Sequence, residues 1–260
     1  MRNIYFSIIV IFITCTNAFS QDMFAPRAFV VNNYSFFSKT DTTDYSCTVR
    51  VKKDGKEIAT GKFSEQTLED VSLLEENNGD KIFLLSAYTG GAHCCTSIYS
   101  VNISGGKINL IDSLSLGNAG YGIDDINNDG KKEIISGNDM FAYAFTNYAE
   151  TRFPAYVIKF NKGHFTDATG DFKELLYKEI EDLTGEMNDF FKDQEFKCED
   201  NGADTFNTPA GTLKTILAAI LADYHTLGET QKGYDLINKI YTCPDKETYI
   251  NTLKNDFKLN

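Results

Sequence analysis

Between about residue 28 and residue 169, apolar and polar positions alternate in short runs rich in β-branched and aromatic side chains, and Gly, Asn and Asp cut the runs apart. A period of two punctuated by turn residues predicts β-strands. Three stretches carry a hairpin pattern. Residues 47–51 lead through Lys53, Asp54 and Gly55 into 56–60; residues 97–103 lead through Ser104, Gly105 and Gly106 into 107–111; residues 155–160 lead through Asn161, Lys162 and Gly163 into 164–166. The turn glycines are 51 and 57 residues apart, and residues 73–86 rhyme with 124–136. A repeat of about fifty residues predicts recurring four-stranded units, either propeller blades or repeated hairpins.

Past residue 170 the period changes. Phe172, Leu176, Ile180, Leu183, Met187 and Phe190 recur at threes and fours, which predicts one buried face of a helix. Thr208 followed by Pro209 reads as an N-cap and first helical position. A further helix is expected over 234–241, and a last one capped by Asp245, with Tyr249, Leu253 and Phe257 in one stripe. Tyr224, Gly228, Gly233 and Ile237 resemble the small-residue pattern of a single tetratricopeptide-type helical hairpin, which implies packing geometry only. The acidic residues from Glu174 to Asp200 are expected mostly on the polar, solvated face of a helix. The expected fold is therefore a mainly β N-terminal domain over 21–170 followed by an α-helical region over 171–260.

Residues 1–20 have the order of a secretory signal: Arg2 near the start, an apolar run over 4–13, then small and polar residues with Ala18 and Ser20 at the −3 and −1 positions. The run is shorter than the roughly 18 apolar residues of a membrane span, and no later segment is long and apolar enough to be one. Cleavage after Ser20 would make the protein periplasmic or secreted; a lipid anchor at Cys15 is the lesser alternative. Loss of Arg2 takes the net charge from −12 to −13. An acidic chain without a visible basic stripe argues against nucleic acid as a partner.

Cys47, Cys94, Cys95, Cys198 and Cys243 remain after cleavage, and export makes disulfides the default. Cys198 and Cys243, alone in the helical half, are expected to pair. Gly90, Gly91, Ala92, His93, Cys94 and Cys95 form the oddest stretch. Cys94 and Cys95 could bond each other, Cys47 could bond one of them, or His93 with the thiolates could bind Zn or Cu or act in redox chemistry. Structural disulfides are favoured, with a bond from Cys47 to one of the pair preferred. His164 and His225 read as turn and helix-surface residues. The glycines between Gly117 and Gly122 open no helix, so they do not form a phosphate cradle.

The sharpest motif is the loop 125–133. Asp125, Asn127, Asp129 and Glu133 stand at positions 1, 3, 5 and 9, Gly130 at position 6, and Lys131 at position 7 can offer a backbone carbonyl. A hard cation takes about six to eight oxygens, and this spacing folds oxygens inward. Position 12 is Ser136, and the strand-like Ile134 and Ile135 follow, so the loop is not an EF-hand. With Leu116 and Gly117 upstream and Ser136, Gly137 and Asn138 downstream, 116–138 resembles an FG-GAP repeat, the unit of integrin-type β-propellers. That resemblance implies Ca²⁺ bound by Asp125, Asn127, Asp129 and Glu133. Leu116 stands where the family has Phe, and Asn138 where it has Ala. The chain as a whole, with the His93 segment before the loop and Phe141 to Phe145 after it, resembles a group of uncharacterised exported bacterial proteins. The resulting expectation is an exported, calcium-binding, non-enzymatic module whose partner is a protein or glycan at the cell envelope. The alternative is a thiol- or metal-dependent enzyme or redox protein using His93, Cys94 and Cys95.

Overall fold

A computed structural model describes residues 24–64, 67–77, 80–91, 94–193, 196–199 and 204–260. The signal segment 1–20, Cys15 within it, and His93 lie outside the described residues.

The β region is three successive four-stranded antiparallel meanders. The first holds β1 (Arg27–Val31), β2 (Tyr34–Asp41), β3 (Ser46–Lys53) and β4 (Lys56–Phe63). The second holds β5 (Thr67–Asn77), β6 (Asp80–Tyr88), β7 (Thr96–Ser104) and β8 (Lys107–Gly117). The third holds β9 (Tyr121–Asp124), β10 (Glu133–Gly137), β11 (Ala155–Asn161) and β12 (His164–Asp167). All three expected hairpins form. Their turns place Asp54 and Gly55, Gly105 and Gly106, and Lys162 and Gly163 at positive φ. Two consecutive left-handed residues match the right-handed twist of the flanking strands, which is why glycine sits at the second position each time.

The meanders do not form a propeller ring. A single parallel register pair, Thr60↔Lys107, joins β4 to β8 and gives one eight-stranded sheet in the order β1-β2-β3-β4-β8-β7-β6-β5. Its outer strands β1 and β5 come back into contact, so the sheet curls into a near-closed, barrel-like form. The third meander is a separate four-stranded sheet.

Successive strand residues point to opposite faces, and β6 is apolar on both. Phe83 and Leu85 pack into a core with Phe36, Val49, Val51 and Val101, where Phe83 meets the Tyr34 and Phe36 rings at 5.0 and 5.1 Å. Leu84 lies in a second core with Ile98, Leu116, Ile134 and Ile158, which joins the second meander to the third. Polar contacts tie the same two layers: the Ser100 hydroxyl donates to the Gly163 carbonyl, the Gly163 N–H to Glu75 at 2.9 Å and the Phe165 N–H to Asp112 at 2.9 Å.

The helical region contains α1 (Lys173–Asp193), α2 (Pro209–Thr226), α3 (Thr230–Ile240) and α4 (Lys246–Asn255). The α1 stripe is buried from Phe172 through Met187. The Thr208 side chain accepts from the Gly211 N–H at 3.4 Å, with Pro209 opening α2. At Gly233 a Cβ would meet Leu221 at 2.6 Å, so the missing side chain lets α3 approach α2. Asp245 stands at the N-cap of α4 as expected, but its side chain makes no cap hydrogen bond. It pairs instead with Lys214 and accepts from the Tyr241 hydroxyl at 2.8 Å, because Lys214 is buried between the Tyr241 and Tyr249 rings and needs a counter-charge. No helix among the described residues is long and apolar enough to cross a membrane.

Leu84→Ala removes a fully buried side chain between the two sheets and should destabilise the protein by about 2–5 kcal/mol in urea unfolding. Val30→Ala, at a position 74 % exposed, should change stability by less than about 0.5 kcal/mol.

Candidate functional site

The loop 125–133 projects from a two-strand junction. Glu133 opens β10 and pairs in register with Asp124 at the end of β9, so the intervening residues leave the ladder as one lobe. The lobe is wound by its own side chains. The Asp125 carboxylate accepts from the N–H groups of Asp129 at 3.0 Å and Gly130 at 2.9 Å. Asn127 Oδ1 accepts from the Asp129 N–H at 3.0 Å, and Asn127 Nδ2 donates to Asp129 at 3.1 Å. Asp129 Oδ1 accepts from the Lys131 N–H at 2.8 Å. The chain reverses at Asn128 and Gly130, both at positive φ. Local Asx hydrogen bonds of this kind are what Asp and Asn supply in turns.

Glu133 differs from the others: it is buried, 1 % exposed, and its Oε2 accepts from the Ile126 N–H at 3.3 Å. Burial raises its pKa, with Asp129 and Asp125 adding to the effect against the Ile126 hydrogen bond. Asp129 is held below the ordinary carboxylate range by the Lys131 N–H and the Asn127 amide. The donor set is all oxygen, the chemistry of a hard cation. In this geometry the oxygens accept from the loop's own N–H groups, and among the described residues no three His, Cys, Asp or Glu side chains converge to metal-binding distance.

The cysteines fall into two places. Cys94 and Cys95 are bonded to each other in the segment entering β7, where the Cys95 N–H donates to Thr89 Oγ1 at 2.7 Å and the Thr89 N–H to the Cys95 carbonyl at 3.1 Å. The preferred link from Cys47 to this pair is corrected. Cys47 lies buried on β3 in the first core, and the sheet order puts β4 and β8 between β3 and β7. Three strand spacings, about 14 Å, exceed the roughly 7 Å Cα limit of a disulfide. Cys198 and Cys243 approach to a Cα–Cα distance of 5.3 Å and are bonded, tying the connection between α1 and α2 to that between α3 and α4. His164 is exposed, 3.7 Å from Asp112, and His225 Nδ1 lies 3.0 Å from Thr230 Oγ1.

A third cluster sits where the helices meet the third meander. The connection 138–154 between β10 and β11 clasps the helical region. Phe141 stacks near Phe257 at 4.7 Å and Phe145 meets Tyr249 edge-on at 5.1 Å. The Arg152 N–H donates to Thr215 Oγ1 at 3.0 Å, and its guanidinium pairs with Glu186. Just beyond, Glu179 of α1 and Asp223 of α2 both face the Ala155 N–H that opens β11. Asp223 is 1 % exposed, and its Oδ2 has no hydrogen-bond partner among the described residues. Burial pushes Asp223 up to about 8, with Glu179 adding to it. Burial likewise pushes Glu179 up to about 7, against the Ala155 N–H and with Asp182 adding. The acids of α1 were expected mostly on its solvated face, and Glu179, half-buried, is an exception. Its spacing, three residues after Leu176 and four before Leu183, places it on the buried stripe and was the available signal.

Over 221 residues the chain is 25% identical to a protein named as a probable thylakoid lumen protein of Synechocystis sp., covering 82% of this chain and 60% of that relative. Over 84 residues it is 30% identical to an uncharacterised protein of Sinorhizobium fredii, covering 32% of this chain and 13% of that protein. The chain thus spans less than two thirds of either relative. No family model and no solved structure matches it.

Two outcomes are expected. Folded-state pKa values raised above the unfolded ones mean stability that is fully present below about pH 4 and is lost as pH rises through about 7 to 8. Asp223→Asn should therefore gain in urea midpoint over wild type between about pH 3 and about pH 9, by at least on the order of 1 kcal/mol; parallel pH profiles would refute the raised pKa of Asp223. Non-reducing peptide mapping should yield Cys198 cross-linked to Cys243, and Cys243→Ser should cost on the order of 4 kcal/mol by the loop-entropy relation.

Proposed function

We propose that the protein is an exported, calcium-stabilised β module that serves as a binding partner at the cell envelope rather than as an enzyme. The observation that carries this reading is the loop 125–133, in which three carboxylates and an amide oxygen share one lobe and Glu133 is buried beside two other acids. Ca²⁺ would relieve that repulsion. Asp125, Asn127, Asp129 and Glu133 would hold it through their side chains and Lys131 through its carbonyl, in exchange for the N–H bonds they now accept. The likeness of 116–138 to an FG-GAP repeat supports the same ligands. Export is supported by the signal-like pattern of 1–20 and by the relative whose name places it in the thylakoid lumen. A second reading, thiol–disulfide chemistry at Cys94 and Cys95, draws on their partial exposure beside β7.

Titrating Ca²⁺ against thermal unfolding tests the first reading. The midpoint should rise with added ion, saturating on the order of 10⁻⁴ to 10⁻³ M as for other extracellular modules, and Asp129→Ala should abolish the rise. Equal responses in wild type and variant would sink the assignment. Rapid alkylation of both Cys94 and Cys95 in the native, unreduced protein would favour the second reading instead.

A further inference from the structure

The third meander turns one face to the second meander and the other to the helices. Ile134 and Ile158 belong to the first face. Ile135 and Gly137 of β10 alternate with Ile134 to the other, and the register sets Gly137 opposite Ala155 of β11. Leu175 and Glu179, four residues apart on α1, form one stripe over that face. Between strands and helix lies a cavity of about 370 Å³. Tyr148 and Phe153 of the connection 138–154 give it an aromatic wall, with ring centroids 6.1 Å apart. Among the described residues that line it, Glu179 carries the one carboxyl.

Among the described residues, no cation is set against Glu179. The Ala155 N–H donates to it, and Asp182 is its charged neighbour on α1. Asp223 of α2 stands behind it on the same N–H, 1 % exposed and with Oδ2 unpartnered among the described residues. The cation of the connection, Arg152, is held by Glu186 and by the carbonyls of Glu150 and Thr151. The hydroxyls of the lining are committed as well: Tyr148 donates to the Asn118 carbonyl at 3.0 Å and Ser136 to the Gly120 carbonyl at 2.7 Å.

We propose that this cavity binds a small primary ammonium ion with an alkyl stem, the ammonium on the Glu179 carboxylate and the stem against Tyr148, Phe153 and Leu175. An ammonium supplies the donors and the charge that the seam lacks, and aromatic faces attract cations. The volume is at the small end of the roughly 300–1,000 Å³ of ligand pockets, which suits a small molecule. The net charge of −12 favours a cationic ligand. Burial holds Glu179 up to about 7 and Asp223 up to about 8. Asp223 therefore keeps its proton more firmly, and the seam offers one negative charge to one ammonium. Because the ammonium binds the ionised form of Glu179, binding below that pKa releases a proton, and affinity rises with pH. The site is separate from the loop 125–133 and from Cys94 and Cys95.

The test is calorimetric titration of the full chain with n-butylammonium chloride at pH 6 and pH 8, with chelator present throughout so that the loop 125–133 plays no part. 1-Butanol, the uncharged isostere, and a blocked lysine peptide serve as comparisons. Saturable one-to-one binding is expected, roughly tenfold tighter at pH 8 than at pH 6, with 1-butanol far weaker. Glu179→Gln keeps an acceptor for the Ala155 N–H; it should lose ammonium binding and its pH dependence without a lower urea midpoint at pH 8. Phe153→Leu should weaken binding several-fold and leave the pH dependence in place. Absence of saturable binding, equal binding of 1-butanol, or affinity independent of pH would each overturn the proposal in the wild-type protein, whatever the variants do. Wild-type affinity in folded Glu179→Gln would overturn the assignment of the carboxylate. Tighter binding of the lysine peptide would overturn the small-molecule ligand in favour of a partner's side chain.

Discussion

Burial of the second meander on both faces is the constraint on which the rest of the structure depends. A strand covered on one side can alternate apolar and polar residues; β6 cannot, and Phe83, Leu84 and Leu85 are all fully buried. Phe83 and Leu85 hold the first meander, and Leu84 holds the third. The sheet of eight strands is continuous through only one parallel register pair, so side-chain packing across the layers holds the β region together more than that hydrogen-bonded seam does. Dense packing of this kind leaves little freedom for the layers to slide.

The other features sit at the ends and outer faces of this stack. The loop 125–133 leaves the ladder between β9 and β10, and the connection 138–154 leaves between β10 and β11. One is a self-wound acidic lobe; the other buries Phe141 and Phe145 among the helices. The price of anchoring helices at the third meander is the pair Glu179 and Asp223, two carboxyls sharing one backbone N–H in a poorly solvated seam. Such groups favour their neutral forms, so the seam is linked to pH.

The sequence by itself determined what depends on neighbours a few residues away. The hairpin turns at Gly55, Gly106 and Gly163, the α1 stripe from Phe172 to Met187 and the start of α2 at Thr208 and Pro209 are local patterns. Twist, helical repeat and capping act within one turn of chain. Tertiary structure alone decided which strands are neighbours. Placing β8 beside β4 keeps Cys47 from the pair at Cys94 and Cys95 and replaces a ring of blades with a curled sheet. It made Asp245, the N-cap residue of α4, the counter-ion of Lys214 as well. It also set Lys39 of β2 and Arg50 of β3 on one outer face in a chain whose linear sequence shows no basic stripe. Pairing order, burial and charge clustering are properties of residues distant in sequence, and a period of two or 3.6 carries no information about them.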